Sequence, residues 1–342
     1  MITHPVPQKI LLVQLRQMGD VLLATPAIRS LRQNLPDAHI AFLTEESAYP
    51  IVEDNPDLSE IIVIKRKQSL IEQINVIRDI RRRRFDLIFD FLANPRTGYI
   101  AFFSGAGMTI SYDIPFRKFF YKKSLASKGT YAADHKLSLL SAYGFEPGDN
   151  TPYMNIPVEA EKKIASFLSD VGIREEDFLV CMDTTSRRAF RCWNAERFAE
   201  VADRLKEQHD AKVVFLWGPG EKELVEKLMA LCRHRHFLDY GTNVKEMGAL
   251  IKRSDLLIGN SSFPGHVAVS QQTPTITVLG SAGEEWTHPA PIHLSLKTNL
   301  PCQPCTTNPC DQAFRCLTEI SVQDVMSSFE KLKPLIDKVK NC

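Results

Sequence analysis

Two hydrophobic rhythms alternate along this chain. Lys9–Leu15 (KILLVQL) is a short, almost unbroken apolar run, the pattern of a strand buried on both faces of a parallel sheet. After a turn at Arg16–Gly19, Val21–Asn34 carries Leu22, Ile28 and Leu31 among the apolar positions of a helix. His39–Thr44 and Ile61–Ile64 read as strands, Ile71–Arg82 as a helix, and Phe85–Phe91 (FDLIFDF) as a fourth strand. Gly144–Pro157 holds two glycines and three prolines without a period, and is expected to link two domains. The alternation then restarts. Helices are expected at Glu159–Val171, Ala195–His209, Glu221–Cys232 and Val244–Lys252, with another opening at Gly265–Ser270. Strands are expected at Phe178–Met182, Lys212–Trp217, Asp255–Ile258 and Thr275–Leu279. Val322–Val339 has the pattern of a closing amphipathic helix.

Strand–helix alternation in both halves predicts an α/β protein of two doubly wound, Rossmann-like domains. The expected bounds are 1–150 and 158–320, with 321–342 as a closing helix free to pack back toward the first domain. Such a pair places a ligand cleft between the domains, at the carboxyl ends of the strands.

A length of 342 residues suits two domains, and 44% hydrophobic with 24% charged residues is a globular composition. The net charge of +1 excludes a polyelectrolyte binder as a whole, but the charge is uneven. Residues 61–136 hold 15 Lys and Arg against 6 Asp and Glu, a local +9. No stacking motif of the usual nucleic-acid modules accompanies them, so nucleic acid is not an expected partner. No apolar run approaches the ~20 residues of a membrane span. The polar opening Met1–Gln8 lacks the charged and apolar regions of a signal peptide, which makes the cytoplasm the expected location.

Five segments carry candidate chemistry. Gln17, Met18, Gly19 and Asp20 follow the first strand, where Gly19 permits a tight turn and Asp20 is either a helix N-cap or a catalytic carboxylate. Gly218-Pro219-Gly220-Glu221 joins a strand to a helix; Glu221 either complements the helix dipole or accepts hydrogen bonds from ribose. Ser261, Ser262, Gly265 and His266 open a helix whose free N–H groups suit a diphosphate, the alternative being a plain serine cap. Thr184 to Trp193 supplies Thr184, Thr185 and Arg191 with two further arginines, apt for phosphate oxygens or merely a solvated basic loop, with Trp193 stapling the next helix. Of eight cysteines, none precedes Cys181, and Cys302, Cys305, Cys310 and Cys316 cluster within fifteen residues. A four-thiolate set suits a structural Zn or Fe with no open position for catalysis; free thiols or two local disulfides are the alternatives.

Taken in order, these segments resemble glycosyltransferase family 9, the ADP-heptose:lipopolysaccharide heptosyltransferases. KILLVQLRQMGDVLLATPAIRSLRQNLPDAHIAFLT resembles the family's opening, RCWNAERFAEVADRL its Lys/Arg-x-Trp-x4-Phe helix entry, and VVFLWGPGEKE its Gly-rich turn with a following Glu. LLIGNSSFPGHVAVSQQTPTITVLG resembles the Asn-Asp-Ser/Thr-Gly-x-x-His signature and the strand after it. The cysteine run also recurs in many members, and the likeness spans nearly the whole chain.

The resemblance implies a GT-B fold and metal-independent, inverting transfer, with Asp20 as general base. It implies Arg191 at the leaving diphosphate, Glu221 at the ribose, Thr184 and Thr185 in the phosphate-side loop, and Ser262 and His266 in the donor signature. ADP-heptose is the implied donor and lipopolysaccharide core the implied acceptor. The basic stretches Lys65–Lys67, Arg81–Arg84, Arg117, Lys118, Lys122 and Lys123 would draw that anionic acceptor and the inner-leaflet surface. Two positions depart from the signature, Ser261 for Asp and Phe263 for Gly, and both bear on the sugar held. A sugar-nucleotide epimerase of the same fold and a non-catalytic nucleotide- or glycan-binding paralogue are the other readings.

Overall fold

The computed structural model describes residues 6–188, 191–305, 310 and 312–340. The chain forms two compact units, Met1–Asn155 and Ile156–Cys342. The first runs β1 (Lys9–Val13), α1 (Met18–Leu22), α2 (Thr25–Asn34), β2 (His39–Glu45), α3 (Tyr49–Val52), β3 (Glu60–Ile64), α4 (Leu70–Arg83), β4 (Leu87–Asp90), α5 (Pro95–Phe103), β5 (Met108–Tyr112), β6 (Lys123–Leu125) and α6 (Ala132–Tyr143). The second runs α7 (Val158–Asp170), β7 (Leu179–Asp183), α8 (Ala195–His209), β8 (Lys212–Leu216), α9 (Lys222–Met229), β9 (Phe237–Leu238), α10 (Val244–Arg253), β10 (Leu256–Asn260), α11 (Phe263–Ser270), β11 (Thr275–Val278), β12 (His293–Leu296), α12 (Arg315–Thr318) and α13 (Val322–Lys340).

Each unit has a six-stranded parallel sheet, ordered β3-β2-β1-β4-β5-β6 in the first and β12-β11-β10-β7-β8-β9 in the second. Counted within its own unit, each sheet reads 3-2-1-4-5-6, the Rossmann order. The winding reverses between β1 and β4 in the first sheet and between β7 and β10 in the second, so the crevice that takes ligands lies at the carboxyl ends of those strands. The central strands are buried on both faces, which is why they read as unbroken apolar runs.

Two local features differ from the sequence expectation. The helix expected over 21–34 is two: α1 starts at Met18, and α2 begins anew with Pro26 in its first turn, because proline has no N–H to continue the earlier ladder. The Gly/Pro-rich stretch expected to link the domains lies mostly on the first unit. Ser30 and Asn34 of α2 bond Glu146, Tyr153 N–H donates to Thr25 Oγ1 at 2.8 Å, and Phe145 and Met154 are buried. The closing helix α13 buries Val325, Phe329, Leu332 and Ile336 in the core of the second unit, beside Phe198 and Leu205 of α8.

Candidate functional site

The first unit's switch point carries Asp20. Gln17 takes the N-cap position of α1 and Asp20 the third helical position, so Asp20 is not the N-cap that its type suggested. Its carboxylate faces back to the Gln17 N–H at 3.5 Å. Met18, Gly19 and Asp20 are half-buried and Gln17 exposed. Two groups that sequence reasoning missed lie near Asp20. Lys136 of α6 is only 6% exposed, and burial pushes its ammonium below the usual lysine range while the Asp20 charge pulls it back up. The Tyr112 phenol is pushed well above its usual value by burial, with the Asp90 and Asp20 charges adding, so it stays a neutral hydrogen-bond donor. Asp90, at the end of β4, is fully buried and held by Leu92 N–H, Ala93 N–H and the Tyr121 hydroxyl at 2.6 Å.

The second unit gathers most of the remaining candidates at the ends of β7, β8 and β10. Thr184 and Thr185 leave β7, and both are buried. Thr185 Oγ1 donates to Glu221 Oε2 at 2.8 Å, and Gly218 N–H donates to the same oxygen at 2.9 Å. Glu221 is therefore the residue ahead of α9 that ties two strand ends together through Oε2.

Ser262 stands at the N-cap of α11 but does not cap it with its side chain. Its hydroxyl donates to Asp183 instead, which leaves the N–H groups of the first turn for another acceptor. A Cβ on Gly265 would meet nothing within 4 Å, so that turn borders open space. Ser261, Ser262, Gly265 and His266 line one small cavity with Trp286 and Thr287, two residues no sequence pattern had indicated.

Asp183 was also missed. It is buried at the last position of β7, and burial lifts its carboxyl to about 7; the Ser262 bond opposes the shift and the Glu221 charge adds to it. Close approach of the strands fixes the neighbour: at Gly259, paired with Asp183 in the register, a Cβ would sit 2.5 Å from the Asp183 carbonyl oxygen.

Three buried polar atoms here have no partner among the described residues: Thr184 Oγ1, Arg191 Nε and Asn260 Nδ2. Buried donors without acceptors are rare, and three at one strand-end cluster point to a ligand that supplies them. The Asn260 assignment is secured by Trp193 N–H, which donates to Oδ1 at 2.8 Å and leaves Nδ2 as the free donor. Trp193 in turn is the staple expected from sequence: it packs edge-on against Phe198, four residues into α8, and its indole N–H donates to Ile320 O at 3.0 Å. That anchoring holds the basic loop. Burial lowers the Arg191 guanidinium below its usual range, and the Arg188 and Arg187 charges lower it further. Crowded like charges of this kind are relieved by an anion. Ala189 and Phe190 of the same loop lie outside the described residues.

The four clustered cysteines line one hollow with Ser281 and Gln303. Burial raises the Cys316 thiol, and Cys310, Cys302 and Cys305 raise it further, so the four sulfurs feel one another. Residues 306–309 and 311 of that segment lie outside the described residues. A second donor set, Asp203, Cys232 and His236, has its ligand atoms within 4.8 Å of one another. There the Asp203 carboxylate is already occupied by Arg233 N–H, His234 N–H and His236 Nε2, which staple the β9 approach to α8.

Two Rossmann units, one with a carboxylate at its switch point and the other with an anion-ready one, form an enzyme of the GT-B glycosyltransferase type. The family model for glycosyltransferase family 9 (heptosyltransferase) matches residues 74–313, and the chain belongs to that family. It is 28% identical over 336 residues to lipopolysaccharide heptosyltransferase 3 of Escherichia coli K12, covering 94% of this chain and 96% of that protein. Among solved structures it resembles a family 9 glycosyltransferase from Veillonella parvula, with a TM-score of 0.83 and 26% identity over 95% of this chain and 97% of that one. It shares its fold with E. coli heptosyltransferase WaaC, solved with ADP, at a TM-score of 0.73 and 14% identity over 95% of this chain and 99% of that one.

Proposed function

We propose that this enzyme transfers a heptose or closely related sugar from ADP-heptose to lipopolysaccharide core, with inversion at the anomeric carbon. The observation that carries the reading is the trio of unpartnered buried donors at the second unit's switch point, in a chain whose relative is a lipopolysaccharide heptosyltransferase. In this reading Thr184, Asn260 and the open first turn of α11 hold the diphosphate, and Arg191 neutralises its charge as it leaves. Glu221 accepts from the ribose. Asp20 takes the proton of the acceptor hydroxyl. The hydroxyl oxygen attacks the anomeric carbon while the bond from that carbon to the diphosphate oxygen breaks, and ADP departs. Lys136 is the buried cation whose charge interacts with Asp20.

The signature's aspartate, absent at Ser261, has a counterpart in Asp183, hydrogen-bonded to the adjacent Ser262. It supplies the carboxyl group near the sugar in this chain. His266 closes the same pocket against Trp286, at a ring separation of 6.0 Å. Cys302, Cys305, Cys310 and Cys316 hold a structural Zn or Fe; a cation would relieve the mutual repulsion of their thiolates.

The enzyme works on the cytoplasmic side, at the inner leaflet. Among the described residues no helix is long and apolar enough to cross a membrane. The cations near Asp20 are those at the carboxyl edge of the first sheet: Lys65, Arg66 and Lys67 after β3, with Arg117 and Lys118 after β5. Arg81 to Arg84 end α4 at the opposite edge, where Arg83 pairs with Glu60 and Asp79.

A thermal-shift series with ADP, UDP, GDP and CMP tests the donor. A ligand at 100 times its Kd adds about 2.7 kcal/mol to the native state. A shift selective for ADP and ADP-heptose is expected. A shift selective for another nucleotide overturns the donor assignment, and none at all favours the non-catalytic paralogue.

A further inference from the structure

Large apolar side chains are exposed unevenly on this protein. Sixteen are exposed among the described residues, and nine of them fall between Val63 and Phe119. The densest group is aromatic. Phe116 is 89% exposed, Phe119 74% and Phe102 57%, and Tyr99 and Phe103 stand about half out. Tyr99, Phe102, Phe103 and Phe120 form a continuous surface rather than scattered points, and Phe116 and Phe119 stand out of the segment that carries Phe120. Tyr99 stacks on Phe103, and Phe102 meets Phe103 edge-on at 5.0 Å. Tyr99 also meets Phe120 edge-on at 4.9 Å, which joins α5 to the segment after β5. A Cβ on Gly98 would collide with the Phe120 ring, so that glycine is what lets the segment lie against α5. Patches of this kind on a soluble surface mark a partner.

Charge surrounds the rings. Residues 116–123 read FRKFFYKK, four aromatic and four basic residues with no acid. Arg117 donates to Ala93 O, Arg81 to Phe103 O, and Lys122 to Ala106 O and Gly107 O. Carbonyl partners fix these cations around the rings without neutralising them. The ion pair of Lys118 with Asp113 at 3.7 Å is solvent-exposed at both ends and weakly held. Phe116 has a φ of 61°, a left-handed backbone that a bulky side chain rarely adopts, and the turn spends it on pointing a phenyl ring into solvent.

We propose that this aromatic surface of the first unit inserts into the interfacial layer of an anionic phospholipid bilayer, with its ring of Arg and Lys on the headgroups. Aromatic side chains at headgroup depth, flanked by cations, are the combination a bilayer surface holds best. Single-stranded nucleic acid also pairs rings with cations, but it needs open ring faces. Here Tyr99, Phe102, Phe103 and Phe120 pack against one another, and aliphatic Leu70, Ile71 and Ile74 of neighbouring α4 are exposed as well. The segment 113–120 leaves the carboxyl end of β5, the same edge of the sheet that carries Asp20. Insertion thus lays the α5 flank of the first unit on the headgroup layer, a flank that runs from the Asp20 edge at segment 113–120 to the opposite edge at Phe103 and Arg81. The inference deepens the inner-leaflet reading above: charge draws the protein, and the rings hold it.

Co-sedimentation with phosphatidylcholine vesicles containing 30% phosphatidylglycerol tests it on the full chain. Wild type should bind these and not pure phosphatidylcholine. The double variant Phe116→Ser/Phe119→Ser should bind at least tenfold more weakly, with unchanged melting temperature and ADP affinity, since both rings lie outside the core. Val158→Ser, an exposed apolar site on the second unit, should bind as wild type. Phe119→Trp should be quenched by bilayers of brominated lipid. Binding that survives in the double variant, and is abolished by salt alone, overturns insertion while leaving electrostatic attraction standing. No binding by wild type, or displacement by single-stranded nucleic acid with no bromine quenching, overturns both.

Discussion

Replacing Thr184 by valine should make the free enzyme more stable and its nucleotide binding worse. The Thr184 hydroxyl is buried with no partner, while the neighbouring Thr185 hydroxyl donates to Glu221 at 2.8 Å. An unsatisfied buried hydroxyl costs about 1–3 kcal/mol, and valine of nearly the same shape removes that cost while suiting the end of a strand. A gain of about 1 kcal/mol raises Tm by roughly 2–4 °C for a unit of this size. With nucleotide bound, the same hydroxyl gives a hydrogen bond to a charged oxygen, worth about 1.5–3 kcal/mol. Its loss should weaken ADP binding roughly 10- to 100-fold. Thr185→Val is the internal contrast: it breaks a bond made in the free protein and should lower stability by about 1 kcal/mol. Differential scanning calorimetry and titration calorimetry with ADP read both quantities. A Thr184→Val enzyme that melts lower and binds ADP normally would refute the assignment of that hydroxyl to the ligand.

Asp183 predicts a pH dependence. Its carboxyl is raised to about 7, so the folded state keeps a proton that the unfolded chain has lost; the stabilisation is full below the ordinary carboxylate range and fades as pH rises to about 7. A diphosphate nearby favours the protonated form, so ADP affinity should fall by about threefold to tenfold between pH 6 and 8, with proton uptake on binding near neutrality. Asp183→Asn should flatten that profile, and an unchanged slope would show that another group titrates. Lys136→Met should leave Tm equal or higher, because it replaces a buried cation with an apolar chain of similar length, yet cut transfer at least tenfold with ADP affinity unchanged. Wild-type turnover in that variant would release Lys136 from any role at Asp20. Protein purified under reducing, chelator-free conditions should carry about one Zn or Fe per chain, and Cys302→Ser/Cys305→Ser should lose it; metal-free wild type under those conditions would count against the thiolate site.

The fold was legible where burial is total. β1, β7 and β10 are enclosed on both faces, so their apolar runs announced parallel strands and their turns announced a crevice. Residues 92–143 show no clear period because their elements mix signals. β5 carries Thr109 and Ser111 inward, β6 is three half-buried residues, and α5 exposes Tyr99, Phe102 and Phe103 where a soluble helix shows polar groups.

The candidate site could be sketched from sequence because glycines, hydroxyls and acids after strands stand out at switch points. Asp183 carried a readable signal, a carboxylate closing a buried strand at the switch point, but its weight comes from Ser262, 79 residues away. Lys136 is a cation on the buried stripe of α6 beside Ala133, Leu137 and Leu140, recognisable only once that helix is known. Trp286 and Thr287 come from an irregular loop after β11, and only the folded chain brings them to His266.

The central claim is that Asp20 removes the acceptor proton in sugar transfer. Asp20→Asn keeps the shape and the contact to Gln17 while abolishing the base. Transfer from ADP-heptose to lipopolysaccharide core, followed by mass spectrometry beside ADP titration of the same preparation, measures the claim directly. General-base catalysis contributes about 10²–10⁴-fold, so transfer should fall by at least that much while the ADP Kd stays within twofold. An Asp20→Asn enzyme that transfers at the wild-type rate would contradict it.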